Sequence, residues 1–287
     1  MDSGTIHSLD LSQEEVLYLA ETLDLSESPI LSPGFDADPT RGVVRRALLA
    51  RRLLLVGTDG KETVVDPVDW ILRLAIAPGL LARATRVSSG VLETRSFAAI
   101  PDASVEQAEL SEGLLRFTPF PTPEFPARIL GFLELETRPE FPLSPFTVPL
   151  SAISRCGKTL EERGTDAAAS VLQELGVEQT SARGFVSALH VQIQSAHVLV
   201  VHRSSEVTIE GGDIAWIDGG SHGLWLTSVP SAFGFVRQVA MGAPEPTQAR
   251  QAADDVDLLV EVSPTTAQEI ARQLFEALPG RSADAPA

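Results

Sequence analysis

The feature that most constrains this chain is an internal likeness. Ser111-Glu112-Gly113-Leu114-Leu115 and Ser221-His222-Gly223-Leu224-Trp225 lie 110 residues apart, each between two runs that read as strands. The order of elements around them also repeats. Phe146-Thr147-Val148-Pro149 before a helix mirrors Val260-Glu261-Val262-Ser263-Pro264 before another, and Trp70-Ile71-Leu72 takes the place of Gly184-Phe185-Val186. The expected fold class is therefore α+β: two pseudo-symmetric halves, each an antiparallel β-meander with flanking helices. The expected organisation is an N-terminal helix and loop over 1–40, a first half-repeat over 40–164, a second over 165–280, and a disordered tail over 281–287. Whether the two meanders share one sheet stays open at this level.

Local signals place the elements. Ser12 and Glu15 have capping-box spacing, with Leu11 and Val16 placed as a hydrophobic staple. The helix that follows is expected over 13–24, and further helices over 41–54 and 67–76. Thr58-Asp59-Gly60-Lys61 reads as a turn. Short β-branched runs at 83–88, 91–99, 104–109 and 113–118 read as strands. The Pro-rich segments 119–126 and 137–145 read as loops flanking a short helix over 126–134. A strand near 146–148 and helices over 150–163, 165–175 and 180–189 follow. Four strands are then expected at 195–203, 206–210, 213–218 and 223–229, and a helix over 231–241. A strand at 257–262 leads into a last helix with Ser263 as N-cap and Pro264 at its first position. Trp216 and Trp225 fall on adjacent strands and read as a cross-strand pair in the core.

Composition narrows the function classes. The formal charge is −17, from 39 acidic against 22 basic residues, which argues against nucleic acid because phosphate neutralisation needs clustered Lys and Arg. The acidity is uneven: residues 1–40 hold nine Asp or Glu and no Lys or Arg. Arg41, Arg45, Arg46, Arg51 and Arg52 follow at once, and Arg41, Arg45 and Arg52 share a helical stripe. That stripe reads as solvated or paired with the acidic segment, with a patch for an acidic partner as the sharper alternative. No apolar run reaches the ~18 residues needed to span a bilayer. The N-terminus has no basic or apolar signal region, and the expected location is the cytoplasm. The lone cysteine, Cys156, excludes an intramolecular disulfide.

No catalytic constellation stands out. Gly219-Gly220-Ser221-His222-Gly223 matches G-x-S-x-G, but a nucleophile elbow needs a helix after the serine, and Leu224–Val229 reads as a strand. The motif is expected to be a hairpin turn. His197 and His202, five apart on a strand, point to opposite faces, and His190 lies at a helix end. Neither a metal site nor a cofactor is expected, although Asp254, Asp255 and Asp257 leave a calcium turn open. Cys156 reads as a small core residue.

The second meander, Gly212-Asp213-Ile214-Ala215-Trp216-Ile217-Asp218 followed by Gly223-Leu224-Trp225-Leu226, resembles the C-terminal half of the EspG family, the chaperones of ESX (type VII) secretion. The run Leu258–Pro264 into an amphipathic helix resembles that family's closing strand and helix, and Leu11–Leu25 resembles its first helix. The resemblance spans nearly the whole chain and rests on patterns of strand and turn. It implies a cytoplasmic chaperone without catalytic activity that holds helical, hydrophobic-tipped substrates, PE–PPE-like or WXG-like, for export. It further implies client contacts near 99–104 and in parts of 180–189 and 265–278. The alternative is an enzyme or small-ligand-binding protein with a cleft between the halves. Within 180–189, Phe185, Val186 and Leu189 share a side with only small residues and Arg183 nearby, so these three are the candidate partner-binding residues.

Overall fold

The computed structural model describes residues 7–25, 38–203, 209–228 and 258–277. Among them one order of elements occurs twice: an edge strand, three helices, a four-strand meander and a helix. The first set is β1 (Leu9–Ser12), α1 (Gln13–Thr22), α2 (Asp38–Ala50), α3 (Asp66–Ile76), β4 (Leu80–Ser88), β5 (Val91–Ile100), β6 (Ala103–Ser111), β7 (Leu114–Phe120) and α4 (Phe125–Leu133). A hairpin of β2 (Leu54–Val56) and β3 (Glu62–Val64) sits between α2 and α3. The second set is β8 (Phe146–Pro149), α5 (Leu150–Arg163), α6 (Thr165–Gln173), α7 (Gln179–Val191), β9 (Gln194–Arg203), β10 (Ile209–Asp218), β11 (Leu224–Ser228), β12 (Leu259–Thr265) and α8 (Ala267–Ala277). The class is α+β, as the periodicity predicts.

Two compact units are formed. The first comprises 1–83 and 94–127, and the second 84–93 and 128–287. In the first unit the strand order is β1-β7-β6-β5-β4, with Leu11 of β1 opposite Leu115 of β7. Leu11, Leu19, Leu48 and Leu72 are wholly buried, so α1, α2 and α3 turn one apolar face each into a shared core. The capping box forms: the Glu15 amide donates to Ser12 Oγ at 3.2 Å and the Ser12 amide to Glu15 Oε2 at 3.0 Å. Three of the arginines after position 40 find acidic partners. Arg41 pairs with Glu21, Arg45 with Glu62, and Arg51 with Glu15 at 2.7 Å. Tyr18 Oη donates to Glu62 at 2.7 Å, which ties α1 to the β2–β3 hairpin.

In the second unit β9-β10-β11-β12-β8 are antiparallel neighbours, and the 84–88 end of β4, which belongs to this unit, lies beside β9. The tip of the β4–β5 hairpin turns through Ser89 (φ 52°) and Gly90 (φ 77°), the pair of positive φ values that matches strand twist in a two-residue turn. Strict alternation gives the sheet two different faces. Ala196, Val198, Val200, Ile214 and Trp216 are buried on one face. Ser195, His197, Leu199, Asp213, Ala215 and Ile217 occupy the other.

Three expectations are corrected here. Residues 209–218 form one strand where two were expected, because Gly211-Gly212 continues the ladder opposite Val200 and Val201. A Cβ on Gly212 would come within 3.3 Å of the Ala277 Cβ, so glycine permits α8 to approach β10. Ser263 and Pro264 lie in β12, and the cap of α8 is Thr266, whose Oγ1 accepts from the Glu269 amide at 3.1 Å. Pro264 is tolerated in the strand because β8 pairs only with 259–262, so one side of β12 needs no amide there. The boundary expected at 164 falls inside the second unit. β8 and α5 open the second set, with Val148 paired to Val260 and Cys156 Sγ 3.6 Å from the Ala168 carbonyl. The expected helix over 231–241, the acidic run 254–257 and the tail 281–287 lie outside the described residues.

Candidate functional site

Among the described residues, the second face of the β8–β12 sheet is only partly covered. Over β8, β12 and β11 the helices α5, α6 and α7 bury it in a core that includes Val148, Leu172, Phe185, Trp225 and Val262. The Phe185 and Trp225 rings meet edge to face at 5.5 Å, and Phe146 and Phe185 at 5.7 Å. Toward β9 and residues 84–88 of β4, no described helix covers the same face. There Thr85, Val87, Ser195, His197, Ala215, Ile217 and Thr227 line a groove of about 250 Å³. Ile217 is shared between the helical core and the groove, and so marks where the cover ends.

The groove wall is made of small and β-branched side chains with one ionic feature. His197 pairs with Asp213, and both are partly exposed. The hydrogen bond to the Asp213 carboxylate raises the imidazole above its usual range, against the opposing effect of partial burial. Beside the groove strands, the hairpin tip carries Val91 and Leu92, which are 60% and 67% exposed. As consecutive residues of β5 they point to opposite faces, so the hairpin tip offers an exposed large apolar side chain on each side.

The residues singled out from sequence are distributed as follows. Phe185, Val186 and Leu189 share one side of α7, but that side faces inward. Phe185 and Val186 are wholly buried against Trp225 and its neighbours, which gives them a packing role, and Leu189 is partly buried at the margin of the same core. Trp216 and Trp225 do not pair. The register sets Trp216 opposite Leu226 and Trp225 opposite Ile217, which sends the two indoles to opposite faces. The G-x-S-x-G run is a turn with Gly220 and Gly223 at positive φ and Ser221 exposed, followed by β11 rather than a helix. Cys156 is buried, and burial pushes its thiol up to about 11, far from a reactive thiolate. Among the described residues no three His, Cys, Asp or Glu side chains gather as a metal site. The β5–β6 turn near 99–104 exposes Ile100, and α8 turns Ile270 and Leu274 inward while Phe275 is exposed. The groove itself was missed from sequence. Its signal is the alternation across β9 and β10, where the middle of one face, Ala196, Val198, Val200, Ile214 and Trp216, is apolar and the other mixes Ser195, His197, Asp213 and Ala215 with Leu199 and Ile217.

No family model matches the chain, and no curated protein matches it. Among solved structures the fold is similar to the Mycobacterium tuberculosis type VII secretion system chaperone EspG5, solved in complex with a PE25-PPE41 dimer. The TM-score is 0.58 at 14% identity, over 95% of this chain and 97% of that one. At that identity the likeness is one of fold, and it supports the EspG-like architecture read from the second meander. No described helix is long and apolar enough to cross a membrane.

Proposed function

We propose that this chain is a cytoplasmic chaperone of the type VII secretion kind, which holds the apolar end of a helical substrate, PE–PPE-like or WXG-like, until export. The observation that carries this reading is the fold likeness, end to end, to a type VII secretion system chaperone solved in complex with a PE25-PPE41 dimer. Further support comes from the open half of the second unit's sheet. Its groove offers short apolar walls to an inserted side chain, and the hairpin tip that carries Val91 and Leu92 stands beside it as a second contact. Leu189 is the member of the α7 trio nearest to a reachable position, and Phe185 and Val186 hold the helix from beneath. The net charge of −17 keeps copies with exposed apolar surface apart by mutual repulsion.

The test is co-expression with each PE–PPE-like or WXG-like pair encoded near this chain in its own genome, followed by size-exclusion chromatography with light scattering. The expected result is one peak whose mass equals the sum of chaperone and client. Separate elution of every pair counts against the reading.

A further inference from the structure

Residues 135–145, between α4 and β8, hold no regular secondary structure. This segment passes from the face of α4, round the β10–β11 turn, to the face of α7. Its attachment is made largely by side chains. Arg138 forms a two-pronged bond to the buried Asp218 carboxylate, with Nη2 2.8 Å from Oδ2 and Nε 2.9 Å from Oδ1. Phe141 lies over Gly223, where an added Cβ would come within 2.9 Å of its ring. Leu143 fills a notch at Gly184, where an added Cβ would come within 2.6 Å of Leu143 Cδ1 and 3.2 Å of Trp225 Cζ2. The main-chain ties here are the Ser144 amide on Ser181 Oγ at 3.1 Å and a local bond from the Leu143 amide to the Phe141 carbonyl at 2.8 Å. Phe141 is itself 37% exposed and Leu143 half-buried, and the rest of the segment is largely exposed, with prolines at 139, 142 and 145.

We infer that residues 135–145 are a displaceable strap. Phe141 and Leu143 occupy side-chain-free notches over the α7–β11 seam in the manner of a ligand, and Arg138 on Asp218 is the latch. Opening the strap uncovers an apolar seam at the edge of Trp225 and Phe185. The occupant it suits is a second apolar stretch of the helical client whose end docks in the groove, which would place two large side chains where Phe141 and Leu143 now sit. Three features set this segment apart from ordinary core. It adds no strand or helix to the unit. It contributes two anchoring apolar side chains. Both of those side chains sit against glycines, Gly223 and Gly184, where the receiving surface has no side chain of its own. The identity of the replacing helix rests on the chaperone reading, whereas the opening of the strap does not.

Gly184→Ala tests the strap directly. The added methyl collides with the flexible end of Leu143, yet alanine is the better residue for the helix that carries it. Hydrogen exchange on the free chain should show the Leu143 and Ser144 amides exchanging about tenfold faster than in the parent, with α7 and β10 as protected as before. Arg138→Gln should do the same from the other end of the segment. The inference is overturned if both variants leave those two amides at parent rates, or if the strap and α7 lose protection together, which would make the segment part of the core. In a complex with a co-purified client, the same two amides should lose protection while α7 gains it. A client that binds and leaves them unchanged overturns the displacement and leaves the chaperone reading intact. Failure of every client to bind removes that reading, and the free-chain result still decides the strap.

Discussion

Trp225→Ala is expected to lower the unfolding free energy by about 4 kcal/mol, the cost of deleting a large, wholly buried aromatic side chain and leaving a cavity behind. Trp225 is 1% exposed, meets Phe185 and Phe146, and forms part of the floor beneath Gly184. Its indole Nε1 also donates to the His222 carbonyl at 3.2 Å, so the substitution leaves that turn with one bond fewer. Trp216→Ala is expected to cost a similar amount from the opposite face, where Trp216 is likewise 1% exposed. Urea denaturation of each variant checks the values. A midpoint within experimental error of the parent for Trp225→Ala would mean that α7 does not rest on this indole.

Gly219→Ala is expected to destabilise by about 3 kcal/mol, the upper part of the range for forcing extra volume into a packed site. The φ of Gly219 is −90°, which any residue adopts, so backbone conformation does not demand glycine there. Space does. A Cβ would stand 2.5 Å from the Ala188 Cβ and 2.6 Å from the Ala188 Cα. The second of these is backbone, so the neighbour can give way only if the whole of α7 shifts off the turn. Gly184 forms a contrast within the same unit, because the atom nearest its missing Cβ is the end of a leucine side chain. Thermal unfolding of the two alanine variants should show a drop of several degrees for Gly219→Ala and little change or a gain for Gly184→Ala. Equal melting temperatures would contradict the steric account.

Much of the architecture is legible in the sequence because it rests on local rules. The capping box at Ser12 and Glu15, the glycine-rich turn before β11 and the opposite orientation of His197 and His202 follow from spacing alone. The phase of the repeat does not. Ser111–Leu115 and Ser221–Trp225 look alike because both turns need a glycine at positive φ, at Gly113 and Gly223. Counted along the four-strand meander of each set, however, one turn joins the third and fourth strands and the other the second and third. The two segments share turn chemistry, whereas the recurring order of elements starts at β1 and β8. The same reason hides the separation of Trp216 from Trp225. Their relation depends on how many residues Gly219–Gly223 spends in the turn, and one residue more or less would put both indoles on the same face.

The candidate site was less legible than the fold. Phe185, Val186 and Leu189 form an apolar stripe whose spacing says that it is buried against something, without saying whether that is the chain's own sheet or a partner. The sheet decides it, because Trp225 and Phe146 rise from the strands beneath and close on Phe185. The groove has the opposite history. No single residue in it is distinctive, and it exists because α5, α6 and α7 cover only the β8, β12 and β11 side of a face that continues to β4.

The central claim is that a helical client docks in that open half of the face, and isothermal titration of a co-purifying client against the parent and Val87→Glu tests it most directly. Val87 lines the groove, is half-exposed and lies on a hairpin strand outside the helical core, so a carboxylate there is tolerated by the fold. The account predicts an unchanged melting temperature and an affinity at least about tenfold weaker, since the carboxylate must be desolvated on docking. Client binding of parent strength by a folded Val87→Glu chain would contradict it.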